Sequence, residues 1–361
     1  MRSVARPSEE HPVMSKLPLS RNKNNPAPDQ DGPGLFSRHQ PAGYLYPFGE
    51  RNEGTMQKNI VQLNDINRMA AQQSANWIQG VEREYNAVLD QTAERIQKGG
   101  QRIVMLAGPS GSGKTTTANM LSRHLVAHGA QAAVISLDDF YLNPQDMPRL
   151  DDGTPDFESV HSLDLDHLHR CLCDLLETRR CELPLFDFIT HRIEGQTRLL
   201  ELGEGDVVIF EGLHALNPII CDRLPAHELC RLHVHVGQSI QNEGETLLSA
   251  RDLRLVRRLI RDHRFRNSTP SNTLEMWKGV VRGEEQYLKP FEHTASISVD
   301  SFHCYEPCVF RDPFLELLKQ VDPADANYPL MERVGKALAL LAPLPMEEVP
   351  SDSLLREFIG K

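Results

Sequence analysis

This sequence of 361 residues has neither an excess of positive charge nor a long apolar run. Its formal net charge is −11, so it lacks the overall basic field that attracts nucleic acid, and we expect no nucleic-acid partner. No apolar segment reaches the roughly 18 residues that a membrane-spanning helix needs. The amino terminus has no apolar stretch before a small-residue cleavage site, so we expect no secretory signal and no membrane partner. An anionic ligand must therefore be held by a local cluster of positive charge.

Cysteine is infrequent, and its pattern fits neither a disulfide framework nor a zinc site. The chain has seven cysteines, an odd number, without a Cys-x-x-Cys pair. We therefore expect reduced thiols in a cytoplasmic protein. His303, Cys304 and Cys308 lie close together in the sequence but form an incomplete ligand set for a metal.

Composition divides the chain into four parts. Residues 1–55 contain eight of the 24 prolines, and we predict a disordered tail because they cannot bury enough apolar surface to offset the entropy of ordering. Residues 56–99 place apolar side chains at helical spacing and end at a Gly-Gly pair, which predicts a helical extension of one or two helices. The predicted parts are therefore 1–55, 56–99, one large domain at 100–345, and a carboxyl-terminal tail at 346–361.

The large domain alternates predicted strands with predicted helices. Continuous apolar runs predict strands that are buried on both faces, and a further strand alternates apolar and polar residues. The predicted strands are 103–108, 132–137, 207–212, 232–236 and 295–302. The predicted helices are 114–128, 164–178, 246–264, 271–291, and two around 314–321 and 330–341. This alternation predicts an α/β fold with a mostly parallel, doubly wound sheet flanked by helices.

The most specific motif is a phosphate-binding loop. Residues 108–115 match G-x-x-x-x-G-K-[ST] between a predicted strand and a predicted helix, the context that the motif requires. Its glycines allow a tight turn around phosphate, and the helix start adds its positive dipole end. Lys114 can reach the outer phosphates, and the Thr115 hydroxyl can join a Mg²⁺ shell. The residues predicted to bind a nucleoside triphosphate in this P-loop NTPase fold are Gly108, Pro109, Ser110, Gly111, Ser112, Gly113, Lys114, Thr115 and Thr116.

The loop alone does not define a reaction, because GTPases, transporters, motors and small-molecule kinases all have one. The sequence lacks the Asn-Lys-x-Asp element of guanine recognition and the Leu-Ser-Gly-Gly signature of transporter ATPases. Asp138 follows the second predicted strand and Glu211 ends the third, at the edge where doubly wound sheets place their chemistry. Asp138 can accept a proton from a hydroxyl or hold Mg²⁺, and Glu211 can orient a Mg²⁺-bound water. Capping or turn roles are the structural alternatives for these acids.

Two further segments are candidates for ligand contacts. Seven arginines lie between 251 and 266, and Arg254, Arg258 and Arg261 share one helix face. Phosphoryl transfer needs positive charge over the transferred group, so we predict a helical lid; a basic solvated face is the alternative. The segment 183–195 mixes aromatic and polar side chains that can frame a planar base, and core packing is the alternative for its phenylalanines.

The order of these motifs resembles a known family. GPSGSGKTT, LDDFY, P-x-FDF-x-TH, EG-x-HALNP and RR-x-x-RD-x-x-x-R are together similar to the uridine kinase and phosphoribulokinase superfamily, nearest to the bacterial-type uridine kinase-like nucleoside kinases. The similarity covers roughly residues 100–312. It implies a P-loop kinase that uses ATP and Mg²⁺ to phosphorylate the 5′-hydroxyl of a small nucleoside of the uridine or cytidine type.

The resemblance also implies roles for individual residues. Asp138 matches the base that deprotonates the nucleoside hydroxyl. The other residues implied in catalysis are Lys114, Arg261 and Arg266; those implied in substrate binding are Tyr141, Glu158, Phe186, Phe188, His191 and Arg258; those implied in holding Mg²⁺ are Thr115 and Glu211. A homo-oligomer is compatible with this family.

The sequence departs from the family in three places. Phe186 replaces a tyrosine, Asn267 follows Arg266 where glycine is usual, and Arg192 lies one place earlier than the usual arginine. These changes affect the choice of base rather than phosphoryl transfer. Two alternatives to a nucleoside kinase remain: a kinase of another small hydroxyl compound, such as a sugar phosphate or pantothenate, and a nucleotide-binding regulatory protein without catalysis.

Overall fold

The structure, a computed structural model, describes residues 60–187 and 192–360. Its strands and helices follow one another along the chain, with short 3-10 turns between some of them. In chain order they are β1 (Ile60–Gln62), α1 (Leu63–Gly99), β2 (Ile103–Ala107), α2 (Lys114–Ala127), β3 (Ala132–Ser136), α3 (Leu165–Glu177), β4 (Arg180–Asp187), β5 (Arg192–Glu201), β6 (Val207–Gly212), α4 (Pro218–Cys221), β7 (Leu229–His235), β8 (Ser239–Asn242), β9 (Glu245–Leu248), α5 (Ala250–Phe265), α6 (Pro270–Tyr287), β10 (Ile297–Asp300), α7 (Glu306–Leu318), α8 (Tyr328–Ala339) and α9 (Arg356–Ile359).

Five parallel strands form the central sheet, in the order β10-β7-β2-β6-β3. Every residue of β2 and β6 is buried, as the continuous apolar runs predict for strands covered on both faces. The predicted α/β fold with a parallel sheet and flanking helices is therefore confirmed. Because β6 lies between β2 and β3, the carboxyl ends of these three strands meet at one edge of the sheet.

Alternate residues of the central strands pack against helix α3. Ile103 and Met105 of β2 and Phe210 of β6 join Leu168 and Leu172 of α3 in one buried cluster. Each fully buried side chain of this size contributes roughly 1.5–3 kcal/mol relative to an exposed one. This packing holds β2 and β6 against α3 and so helps to position the loops at the carboxyl edge.

Helix α1 is one long element of 37 residues with non-helical backbone angles at Gln73. Its apolar face is buried, and Leu89, Ala93 and Ile96 are completely inaccessible to solvent. The helix ends at Gly99, and the following Gly100 has a left-handed φ of 70°, which is common where glycine ends a helix. The predicted segment is thus helical on both sides of a kink at Gln73.

Two sheets were not predicted from the sequence. Strands β4 and β5 form an antiparallel hairpin, and its register shifts after Pro184, as expected where proline interrupts a ladder. Strands β1, β8 and β9 form a second small sheet, but strands of three or four residues leave too short a pattern to detect. The helix predicted at 246–264 begins later, at α5, because Glu245–Leu248 is a strand.

The carboxyl-terminal residues pack into the structure. Leu354, Leu355 and Phe358 have no solvent exposure, although the sequence assigned 346–361 to a tail; the domain boundaries themselves stay a prediction. Among the helices described, none combines the length and apolar character that a membrane span requires.

Candidate active site

The phosphate-binding loop connects β2 to α2, and its glycines lie where a side chain would be strained or would clash. Gly111 and Gly113 have left-handed φ angles of 75° and 80°, which glycine adopts without strain. A Cβ on Gly108 would lie 2.6 Å from Ser112 Oγ and 2.7 Å from the carbonyl oxygen of Val234. Helix α2 starts with no side-chain cap and no acidic residue in its first turn. Its first N–H groups therefore suit an anionic ligand.

Three arginines of α5 donate hydrogen bonds to this loop. Arg254 Nε donates a 2.8 Å hydrogen bond to the Ser110 carbonyl, and Arg258 donates one of 2.7 Å to the Ser110 hydroxyl. Arg257 donates a 3.1 Å bond to the Gly111 carbonyl. The predicted basic helix face thus includes side chains that brace the loop itself.

Two acids from other helices complete this support. Glu284 of α6 accepts a hydrogen bond from the Ser110 N–H at 3.1 Å and pairs with Arg254. Glu306 of α7 pairs with Arg257 at 2.6 Å, and both side chains are fully buried. The sequence alone assigned no site role to Arg257, Glu284 or Glu306. Their partners lie 30 to 174 positions away, so no local pattern reveals them.

Thr115 and Glu211 are in direct contact at the carboxyl edge of the sheet. The Thr115 hydroxyl donates a 3.0 Å hydrogen bond to Glu211 Oε1. Burial raises the pKa of Glu211, and the nearby charge of Lys114 opposes that rise. Within the described part of the chain, Glu211 Oε2 is buried and has no hydrogen-bond partner. A hydroxyl beside a carboxylate oxygen without a partner is a donor set that fits Mg²⁺.

Asp138 lies in the 3-10 turn that follows β3. The Ser136 hydroxyl accepts the hydrogen bond from the Asp138 N–H at 3.3 Å and caps this turn, so the acid does not serve as the cap. Burial raises the pKa of Asp138, while the charges of Lys114 and Arg266 lower it. The neighbouring Asp139 has its pKa raised to about 6 by burial and by the charge of Asp138. The turn thus presents a partly buried carboxyl group near Lys114 of the loop.

The predicted substrate residues Tyr141 and Glu158 lie near Asp138. The Tyr141 hydroxyl donates a 3.0 Å hydrogen bond to the Phe157 carbonyl. Burial raises the pKa of Glu158, and the charge of Arg258 lowers it. A Cβ on Gly283 would lie only 2.7 Å from Glu158 Cβ, so α6 approaches this acid closely. The structure therefore places Glu158 between α6 and the arginines of α5.

His214 is a buried neighbour of this region that the sequence did not mark as a site residue. Its ring packs edge-on against Tyr287, with the ring centres 5.3 Å apart. Burial lowers the pKa of His214 to about 4, so the ring is neutral at neutral pH. The HALNP motif contained this residue, but an isolated histidine in a turn does not by itself indicate a site.

The predicted lid arginines, Arg261 and Arg266, lie at the end of α5. Arg261 Nε contacts Asp262 at 3.0 Å, and Arg266 contacts the same carboxylate at 3.4 Å. Asn267 has a left-handed φ of 48°, a backbone conformation that asparagine tolerates better than most residues. Asp262 thus contacts both of the predicted catalytic arginines at this end of the helix.

The predicted base-recognition residues are not placed by the structure. Phe188 and His191 lie outside the described residues, and of Phe186 only the backbone in β4 is described. Their roles in substrate binding stay predictions.

Comparison with known proteins shows the family to which this chain belongs. A model of the "Phosphoribulokinase / Uridine kinase family" matches residues 103–306. The uridine kinase of Ureaplasma urealyticum is 24% identical over 199 residues, which are 55% of this chain and 86% of that protein. The uridine kinase of Saccharomyces cerevisiae is 28% identical over 202 residues, 55% of this chain and 36% of that protein. The matched region contains the phosphate loop, both strand-end acids and the arginine helix.

Among solved structures, similarity is low. A protein described as "Possible Uridine Kinase" from Bacillus stearothermophilus has a TM-score of 0.42 and 20% identity, with 60% of this chain and 98% of that chain covered. A similarity of this size does not bear on the substrate.

Proposed function

Because this chain belongs to the phosphoribulokinase/uridine kinase family, we propose that it is an ATP-dependent kinase that phosphorylates the 5′-hydroxyl of a ribonucleoside of the uridine or cytidine type. The observation that supports this proposal most is the position of Asp138. The charges of Lys114 in the loop and of Arg266 at the end of α5 both act to lower the pKa of its carboxyl group. An acid near Lys114 of the phosphate loop suits the role of a base for an acceptor hydroxyl.

The phosphate loop forms the donor half of the site. Its backbone and Lys114 bind the phosphates of ATP, since N–H groups at a helix start and an ammonium group attract oxyanions. Thr115 and Glu211 would hold Mg²⁺ through the hydroxyl and the carboxylate that contact each other at 3.0 Å. When bound, the ion would offset negative charge on the transferred group.

Asp138 and Glu158 form the acceptor half. A partly buried carboxylate is a stronger base than an exposed one, because burial raises its pKa. The charges of Lys114 and Arg266 oppose this rise and so favour the ionised form, which can accept a proton. Asp138 takes the proton of the nucleoside hydroxyl, and Glu158 hydrogen-bonds the ribose.

The lid arginines stabilise the transferred phosphoryl group. Arg261 and Arg266 supply guanidinium groups for the oxygens on which charge develops, a contribution that fixed positive groups make in phosphoryl transfer. The names of the curated relatives, uridine kinases at 24% and 28% identity, favour a nucleoside as the acceptor.

A panel of acceptors tests this function. Uridine, cytidine, purine nucleosides, sugar phosphates and pantothenate are each incubated with ATP, Mg²⁺ and the protein, and the products are separated by chromatography. We expect the nucleoside 5′-monophosphate from uridine or cytidine and little product from the sugar phosphates. Turnover of a sugar phosphate or pantothenate alone would replace the nucleoside proposal, and ATP binding without any product would favour a regulatory protein.

A further inference from the structure

The carboxyl-terminal segment Ser353–Phe358 lies beyond the region that matches the family, which ends at residue 306. It is nevertheless firmly anchored. Phe358 is fully buried, packs edge-on against Phe310 at 6.2 Å, and lies under the guanidinium of Arg257 at 5.2 Å. Arg264 of α5 also donates a 2.9 Å hydrogen bond to the Ile359 carbonyl. The segment is therefore attached to the same helix that braces the phosphate loop.

Leu354 of this segment contacts the phosphate loop directly. A Cβ on Gly113 would lie 2.8 Å from Leu354 Cδ1. The leucine therefore packs against the loop at the residue that precedes Lys114. The segment is therefore in direct contact with the loop.

Glu357 connects the two charged parts of the site. Its Oε2 accepts a 2.7 Å hydrogen bond from the Thr116 hydroxyl in the first turn of α2. Its Oε1 lies 3.6 Å from Arg261 of α5, and the two side chains are only 17% and 12% exposed. One carboxylate thus joins the start of the phosphate-binding helix to a predicted catalytic arginine.

The charges around Arg261 explain why a second acid is useful there. Arg258, Arg261 and Arg266 all contact Asp262, so three guanidinium groups share a single carboxylate. The positive guanidinium groups that contact one carboxylate repel each other, and further negative charge nearby offsets this repulsion. A long arginine side chain also loses considerable rotamer freedom when it is fixed. Glu357 supplies negative charge and a fixed partner before any phosphate arrives.

We propose that Glu357 is a positioning residue of the nucleotide site, which holds the Arg261 guanidinium beside the first turn of α2, where the terminal phosphate of ATP binds. This inference rests on the proposed kinase function for the role of Arg261. It adds a carboxyl-terminal residue, outside the matched family region, to the machinery of the site.

The affinities for ATP and ADP, measured by calorimetry with Mg²⁺ and without an acceptor, test this proposal. Glu357→Gln keeps the size of the side chain and its bond to Thr116 but removes the charge that holds Arg261. We expect ATP binding to weaken about tenfold, in the usual range of coupling between groups, and ADP binding to stay within about twofold. Glu348→Gln, at an exposed acid shortly before this segment, should change neither affinity.

Arg261→Gln and the double variant identify the route of the effect. If Glu357 acts through Arg261, adding Glu357→Gln to Arg261→Gln should change the ratio of ATP to ADP affinity by less than about twofold. Three results would overturn the proposal: tighter ATP binding in Glu357→Gln, an unchanged ratio with a lowered melting temperature, or additive effects in the double variant. Because no acceptor is present, failure of the acceptor panel leaves this test intact.

Discussion

Single carboxyl groups near the loop combine burial with nearby positive charge. Burial raises the pKa of both Asp138 and Glu211, and Lys114 lowers both. A general base must be ionised to accept a proton and yet basic enough to hold it. For Asp138, the raised pKa increases basicity, and the cationic neighbours Lys114 and Arg266 favour the ionised form.

Substitution of Asp138 by asparagine should reduce kcat by about 10²–10⁴-fold, the usual contribution of a general base. The ATP dissociation constant should change little, because an asparagine side chain has nearly the shape of aspartate and the phosphate loop is intact. Steady-state kinetics with the best acceptor and calorimetry with ATP measure the two effects. Asp151→Asn, at an exposed acid of the following loop, is the matched control, and near-normal turnover of Asp138→Asn would exclude Asp138 as the base.

The pH profile gives a second measurement on the same residue. Protonation below its pKa removes the base, so kcat/KM should fall as the pH is lowered through that value. Because the pKa of Asp138 is raised above the ordinary 3.8, this acidic limb should lie at higher pH than a free aspartate would give. The small remaining rate of Asp138→Asn should lack the limb.

Helix α5 braces the loop through hydrogen bonds and is also the predicted lid. Arg254 and Arg257 bind carbonyl groups of the loop, while Arg261 lies nearer the start of α2 through its contact with Glu357. A capping box between Ser249 and Asp252 fixes the start of this helix. The position of each arginine along α5 therefore decides whether it holds protein or is available to ligand.

Removal of Arg257 should destabilise the fold strongly. Arg257→Met leaves Glu306 as an uncompensated buried charge, which costs about 3–5 kcal/mol. Adding Glu306→Leu removes that charge and should restore much of the stability, but the Gly111 carbonyl still lacks its donor, so ATP affinity should stay low. Urea unfolding and ATP titration separate the two effects. Recovery of full ATP affinity in the double variant would contradict a bracing role.

At the scale of the whole molecule, segments on either side of the matched family region make contacts around the start of α2. The Tyr85 hydroxyl of α1 lies 2.6 Å from Thr117 Oγ1 of α2. Glu82 of α1 pairs with the Tyr305 hydroxyl, which also lies 3.3 Å from Ser353 Oγ of the terminal segment. The loop region is thus tied to distant parts of the chain.

Truncation distinguishes the two predicted amino-terminal parts. Removal of residues 1–55, predicted to be disordered, should leave the melting temperature within about 2 °C, because little buried surface is lost. Removal through residue 99 deletes α1 and its buried residues Trp77 and Leu89, and it should abolish cooperative unfolding. Differential scanning calorimetry measures both, and an equal melting temperature for the longer truncation would show that α1 is dispensable.

Local patterns in the sequence were sufficient for the loop and for most elements of the sheet. Residues 108–115 are defined by their glycines, lysine and threonine, and β2 and β6 by apolar runs that suit burial on both faces. The hairpin of β4 and β5 was missed, because Pro184 interrupts the alternation that identifies a strand. Short-range physics determines these elements, so short-range patterns predict them.

The sequence by itself determined that this chain has a phosphate loop, strand-end acids and a helix rich in arginine. Only the tertiary structure decided which arginines brace the loop. It also decided that Glu357 contacts both Arg261 and Thr116. The physical reason is separation along the chain. Arg257 meets Glu306 across 49 positions and Thr116 meets Glu357 across 241, and contacts between such distant residues arise from packing, which has no periodic signature in the sequence.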